Sequence, residues 1–365
     1  MTVRFFNFAA ESQDYMAAVR QAIDDTISSG QFILGPKLQA FETAFAEYIG
    51  VNHCLGVSNG LDAIRLILKA LQIDEHAEVI VPAHTFIASW LPVSDLGAKI
   101  IPVEPDDQDY NINPAALEQA ITERTKAIMV VHLYGAPANM SAIRAVADRH
   151  QLPVIEDAAQ AQGAKCEGAM AGSMGLAGAF SFYPTKNLGA LGDAGAITTN
   201  DQALYSRLLK LRNYGSVVKY QHDMPGLNCR LDEIQAAVLL EKLTYLESKN
   251  QQRNQIAGQF LQNIKNPLLR LPQQVSGHVW HQFVVRVTDR QAFMNHLQNQ
   301  GVESMIHYPV PPHLSGAYQK EYGDSHLPLT EQICQQVVSL PIYPGLSEQE
   351  IQQVIAACNS FQEPL

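Results

Sequence analysis

The stretch GAFSFYPTKNLGALGDAGA, residues 178–196, holds one lysine, Lys186, in a run of small and apolar residues that reads as a strand end followed by a turn at Pro184. A lysine desolvated among such neighbours has its charged form disfavoured, so its pKa falls and the amine becomes a nucleophile or base able to form a Schiff base with a carbonyl. The plain alternative is an exposed strand-end lysine. Three other stretches bear on the choice. GVSNGLDAI, residues 56–64, turns from strand to helix through Ser58, Asn59 and Gly60; such a turn either presents backbone N–H groups to an anion or is a tight connection with Ser58 or Asn59 as the cap. PAHTFIAS, residues 82–89, puts His84, Thr85 and Phe86 at a loop tip, where Phe86 either covers a planar ligand or enters the core. PVIEDAAQAQGA, residues 153–164, ends an apolar strand on Glu156 and Asp157, with Gln160 beyond. Carboxylates there face the ligand crevice of an α/β sheet, unless an arginine pairs with them structurally.

Together these stretches supply a phosphate cup, a ring-stacking aromatic, an acid for a pyridinium nitrogen and a Schiff-base lysine, the set that pyridoxal 5'-phosphate requires. Their order on successive strand ends fits one shared pocket. The elements behind them follow from periodicity. HCLGV, AEVIVP, AKIIPV, KAIMVVHLY, LPVIED, GAFSF and GAITT read as strands alternating with helices such as LDAIRLILKAL and the Asn139-capped NMSAIRAVADRH, the pattern of a mostly parallel sheet in an α/β fold. After Arg230 a long helical run carries a polar stretch at residues 249–254, expected to face water or mark a bend. A strand at HVWHQFVVRV, a helix ended by Gly301 and a terminal helix with a Ser/Glu capping pattern complete a smaller C-terminal α/β domain. The expected division is a large domain over residues 1–245, N-terminal segment included, and a small domain with its connecting helix over residues 246–365.

The chain has 365 residues, 47% hydrophobic and 17% charged, with a formal net charge of -11. That size supports a large core and a second smaller one, and the acidic balance argues against a nucleic-acid partner. The five cysteines stand singly, which indicates neither a disulfide framework nor a zinc site, and no metal ligands are assigned. No apolar run approaches a membrane span and the N-terminus lacks a long apolar core, so a cytoplasmic protein with no membrane partner is expected.

The stretches GQFILGPKLQAFETAFAEYIG, SNGLDAIRL, VPAHTFIAS, HLYGAPANM, VIEDAAQAQGA, FSFYPTKNLGALGDAGAITT, LRNYGS, LNCRLDEIQAA and HYPVPPHL, in this order over nearly the full length, resemble the DegT/DnrJ/EryC1/StrS sugar aminotransferases. The resemblance implies a fold type I aminotransferase: a mostly parallel seven-stranded sheet flanked by helices, with a smaller C-terminal domain. It implies that Lys186 holds pyridoxal phosphate as a Schiff base and that Asp157 pairs with the ring nitrogen. Gln160 would meet the ring hydroxyl, Phe86 would stack on the ring, and Gly60, Leu61 and Ser181 would hold the phosphate. Asn228 resembles a residue that reaches the phosphate in a neighbouring subunit, which implies a symmetric homodimer with shared sites. His307, Tyr308 and His313 lie where the family places substrate-side residues.

Two departures bear on the substrate. Leu61 stands where many members have threonine, and Tyr183 where many have histidine; both resemble the subgroup acting on dTDP-3-keto-6-deoxyhexoses at C3. Retained Lys186 separates the chain from related dehydratases, which carry histidine there. The implied reaction is a ping-pong transamination with L-glutamate as donor and Lys186 as general acid and base, yielding a dTDP-3-amino-3,6-dideoxyhexose for O-antigen, S-layer or another glycan. Tyr183 is expected to bind the hexose or its first phosphate, and Lys219 and Arg230 are candidates for the diphosphate. The small residues Gly189, Ala190 and Gly192 are expected to let cofactor, substrate and second subunit approach the backbone. The competing readings are a C4 aminotransferase of a dTDP- or UDP-keto sugar, a catalytically silent cofactor-binding regulator, and a nucleotide-binding module without the cofactor.

Overall fold

Seven short strands, buried along most of their length, form the central sheet: β1 (His53–Val57), β2 (Glu78–Pro82), β3 (Lys99–Val103), β4 (Thr125–Val131), β5 (Val154–Asp157), β8 (Ala177–Ser181) and β9 (Gly195–Thr199). A two-residue hairpin, β6 (Lys165–Cys166) with β7 (Ala169–Met170), lies between β5 and β8, and β10 (Phe283–Arg286) pairs with β11 (Val337–Leu340) farther along. The computed structural model describes residues 2–362. All seven expected strands of the first half are present, in the order β1-β9-β8-β5-β4-β2-β3. Only β9 runs against the others, pairing antiparallel with β1 and β8. The C-terminal ends of β1, β2, β4, β5 and β8 therefore open on one edge of the sheet, where α/β proteins form ligand crevices.

Helices cover both faces because the strands are apolar on both. The helix Gly60–Ala70 buries Ala63, Ile64, Leu66, Ile67 and Leu68 against this sheet. It starts where the Asn59 side chain accepts the Asp62 N–H at 2.8 Å, a cap worth about 1 kcal/mol. Asn139 caps the helix Met140–Arg149 in the same way, through the Ala142 N–H.

The long run after Arg230 is two helices, Glu233–Leu243 and Leu246–Asn263, broken at Thr244 and Tyr245. The polar stretch at residues 249–254, expected to face water or mark a bend, does so only in part: Gln251 and Asn254 are exposed, but Lys249, Asn250 and Arg253 are buried. Lys249 donates to Asp14 and to the Glu11 carbonyl, and Arg253 to the carbonyls of Trp280 and Ile342. Partners distant in sequence satisfy these groups, so polarity alone misplaces them.

A second core gathers Phe260, Trp280, Phe283, Phe293, Val338 and Val354 around β10 and β11. Only Phe283–Arg286 of HVWHQFVVRV is strand; residues 278–282 are an irregular approach to it. The terminal helix Glu348–Ser360 has the expected capping box, formed by Ser347 and Glu350. Val3 belongs to this second core and bridges Val302, with Phe6 and Ala10 packed alongside. Val3, Phe6 and Ala10 thus pack with the C-terminal unit rather than with the sheet they precede. No helix among the described residues is long and apolar enough to cross a membrane.

Candidate active site

A cavity of about 510 Å³ opens at the C-terminal edge of the sheet, against residues of the second unit. From the turn after β1 come Asn59, Gly60 and Leu61; from the segment after β2, Phe86 and Ser89; from β5 and beyond, Asp157 and Gln160. The β8 end gives Ser181, Tyr183 and Lys186, and the second unit adds His281, Gln282, His307 and Tyr308.

Lys186 sits in a turn closed by its own N–H on the Tyr183 carbonyl at 2.8 Å. Burial pulls its pKa down from 10.5 to about 8, with the Asp157 charge opposing the shift. The amine is thus far easier to deprotonate than a solvated one. Asp157 is buried, and that burial raises its pKa against the lowering pull of Ser89, the Ala159 N–H and Lys186. Ser89 donates to Oδ2 at 2.8 Å and itself meets Thr85 at 2.8 Å. The carboxylate is held in place yet incompletely compensated, which suits a cationic ring nitrogen.

Gly60 faces Ser181 so closely that a Cβ on it would lie 2.8 Å from the Ser181 Cβ. At this helix start the first N–H groups have no helical acceptor, and Gly60, Leu61 and Ser181 line one end of the cavity. This cradle has the chemistry of a phosphate site. Phe86 is 51% exposed and its ring lies 5.2 Å from that of Tyr308, so it is a wall of the cavity rather than a core residue. His84 and Thr85, expected at the loop tip, are buried instead: His84 meets the Tyr134 hydroxyl at 2.9 Å.

Gln160 accepts the Tyr134 N–H at 2.6 Å and donates to the Tyr308 hydroxyl at 2.9 Å. His307 turns Nδ1 to the Ser339 hydroxyl at 2.8 Å; burial, then the Lys186 charge, lower its pKa to about 4. Tyr183 is 53% exposed at the cavity rim. Glu156, which the sequence leaves beside an unnamed arginine, pairs with His132 at 2.9 Å and accepts the N–H groups of Gly172, Met174 and Gly175. It is structural and points away from the cavity that Asp157 lines.

Four expected residues lie outside this cavity. His313 is wholly buried in the turn Pro312–Leu314, its Nε2 3.3 Å from Glu331, so it cannot reach a ligand there. Arg230 donates to Asn213 Oδ1 at 3.1 Å and covers the Tyr214 ring, which anchors the loop around Asn228. Lys219 and Asn228 are exposed on that same loop region. Gly189 is small for a reason within the chain, since a Cβ there would lie 2.3 Å from the Pro184 carbonyl oxygen; Gly192 faces Gln235 and Ala190 is buried. Ser89 and His281 are site residues that the sequence does not single out. Ser89 stands three residues after Phe86, a spacing that could have flagged it, whereas nothing local marks His281.

The family model described as the DegT/DnrJ/EryC1/StrS aminotransferase family matches residues 13–359. The chain is 49% identical over 361 residues to the dTDP-3-amino-3,6-dideoxy-alpha-D-galactopyranose transaminase of Aneurinibacillus thermoaerophilus, covering 98% of this chain and 99% of that protein. It superimposes on the crystal structure of DesV from S. venezuelae in complex with a ketimine intermediate with a TM-score of 0.96, at 45% identity and with 98% of each chain covered. NtdA from Bacillus subtilis, with bound cofactor PMP, matches with a TM-score of 0.92 at 32% identity, covering 98% of this chain and 84% of that one.

Proposed function

The chain belongs to the DegT/DnrJ/EryC1/StrS aminotransferase family, and from that premise we propose that it transfers the amino group of L-glutamate to C3 of a dTDP-linked 3-keto-6-deoxyhexose. One observation carries the reading. Lys186, the carboxylate of Asp157 and the Gly60–Ser181 cradle share one cavity, in a chain 49% identical to a transaminase named for a dTDP-3-amino-3,6-dideoxyhexose.

The cofactor is pyridoxal phosphate, and the cavity's residues fit it. Gly60, Leu61 and Ser181 would hold the phosphate, Phe86 the ring face, Gln160 the ring hydroxyl and Asp157 the ring nitrogen. When bound, the cofactor supplies the carbonyl carbon that carries the amino group from donor to sugar, and a ring that delocalises charge. Asp157 keeps a proton at the ring nitrogen, its own orientation fixed by Ser89. Lys186 Nζ takes the proton from Cα of L-glutamate and returns one to the sugar carbon, a task suited to an amine with pKa about 8. Tyr183, His307 and Tyr308 line the open side, where the hexose would lie.

The lining residues of the cavity contain one cation, Lys186, although phosphate, diphosphate and donor carboxylates are all anionic. A second copy of the chain, bringing Asn228, Lys219 and Arg230, answers that deficit. The exposed Phe32, Ile33, Leu191, Tyr214, Val217 and Val218 support such a homodimer, because apolar surface of this kind marks an interface. We read the protein as cytoplasmic, with its product serving O-antigen or related glycan assembly. The domain boundary is placed at residues 245/246, at the break between helices, with residues 2–10 assigned to the small unit.

The test offers the holoenzyme L-glutamate and a panel of nucleotide-linked 3-keto and 4-keto sugars. The dTDP-3-keto-6-deoxyhexose should exchange its carbonyl oxygen for an amine and a hydrogen at the same carbon. Preference for a 4-keto sugar overturns the regiochemistry, and no spectral response to L-glutamate overturns the enzyme reading in favour of a silent cofactor-binding protein.

A further inference from the structure

Asn187 directly follows Lys186, and its side chain is the centre of a buried hydrogen-bond chain. Its Nδ2 donates to the Val279 carbonyl at 2.9 Å and to Oδ1 of Asn250 at 2.8 Å. Nδ2 of Asn250 donates to the Gln162 carbonyl at 2.9 Å. Both ends rest on backbone carbonyls, which only accept, so the orientation of each amide is fixed. Oδ1 of Asn187 is then the acceptor that faces Nδ1 of His281 at 3.1 Å.

His281 must therefore carry its proton on Nδ1 and keep a lone pair on Nε2. Burial, with the Lys186 charge next, holds its pKa well below the ordinary value, so the ring is neutral. Nε2 has no hydrogen-bond partner among the described residues and is not sealed from solvent. The residue lines the same cavity as Lys186, Tyr183 and His307.

A neutral acceptor in that place selects a donor. Phosphate oxygens, donor carboxylates and the keto group offer only acceptors to it, whereas a hexose offers hydroxyls. We propose that Nε2 of His281 accepts a hydrogen bond from a ring hydroxyl of the nucleotide-linked sugar, with Asn187 and Asn250 as the positioning residues that fix the tautomer. This rests on the aminotransferase reading above. It ties the turn carrying Lys186 to a sugar contact: the residue after the lysine sets which nitrogen of His281 is free.

The experiment compares the wild-type holoenzyme with H281F and H281Q in steady state, using dTDP-3-keto-6-deoxyhexose and L-glutamate. H281F leaves the hydroxyl without its acceptor, so the sugar KM should rise on the order of ten- to a hundredfold, far more than the donor KM. H281Q offers a carbonyl oxygen from a similar place and should recover most of the loss. A sugar KM unmoved in H281F, sugar and donor KM rising together, or H281Q as impaired as H281F overturns the assignment. Failure of the wild type to aminate the sugar would sink the aminotransferase reading, and this proposal with it. Wild-type turnover with an indifferent H281F removes only the histidine's role.

Discussion

The Ser89 hydroxyl donates to Oδ2 of Asp157 at 2.8 Å while the Ala159 N–H reaches Oδ1 at 3.1 Å, so both carboxylate oxygens are fixed by the chain itself. Ser89 lies on the turn Ile87–Ser89, after β2, and Asp157 ends β5. Two separate strand ends thus orient one acid toward the cavity.

Ser89→Ala should loosen that orientation. A hydrogen bond to a charged group contributes about 1.5–3 kcal/mol, so pyridoxal phosphate should dissociate about ten- to a hundredfold more readily. Titrating the cofactor-free variant and following visible absorbance reads this; an unchanged dissociation constant would mean that Asp157 needs no help from Ser89.

Lys186 makes stability depend on pH. Its folded pKa of about 8 lies below its ordinary 10.5, so between those values the unfolded chain binds a proton that the folded chain does not. Stability of the cofactor-free protein should rise with pH across that window. Lys186→Met should melt higher than wild type below pH of about 8, and the gap should close as pH rises. A gap that stays constant with pH instead would place the lysine in a solvated setting.

Glu156 accepts from His132 and from three backbone N–H groups, all in the segment that leads to β8. Glu156→Ala leaves these donors buried and unpaired, a loss of about 3–5 kcal/mol by analogy with a broken buried pair. Urea denaturation should show the lowered midpoint. Near-wild-type stability would mean that water replaces the carboxylate.

Glycines at two places should respond in opposite directions. Gly60→Ala puts a Cβ 2.8 Å from Ser181 and should weaken cofactor binding about tenfold or more, as overpacking typically costs about 1–3 kcal/mol. Gly258, inside the helix Leu246–Asn263, has open space where a Cβ would sit, with nothing within 4 Å. Gly258→Ala should stabilise the chain by about 0.5–1 kcal/mol; equal effects at both sites would contradict the close-approach account.

The strands and several cavity residues are legible in the sequence because local chemistry marks them, whereas Leu61, His307 and Tyr308 are named only through the family resemblance. Apolar runs that end on Asn59, Asp157 or Lys186 place polar groups at one sheet edge, whatever packs behind them. Residues that act through distant partners are not legible in this way. Lys249 and Arg253 look solvent-facing until Asp14 and the carbonyls of Trp280 and Ile342 come to meet them. His313 lies in a motif beside His307 and Tyr308, yet a turn rich in proline buries it. His281 reads as one more residue of a strand, and only the Asn187 contact gives its free nitrogen a meaning.

The most direct measurement of the central claim is the position of the new amine after the holoenzyme has turned over L-glutamate and dTDP-3-keto-6-deoxyhexose, read by NMR of the purified product. The account predicts an amine at C3 of the hexose, formed by the wild type and absent with Lys186→Met. An amine at C4, or C3 product still formed by Lys186→Met, would contradict it.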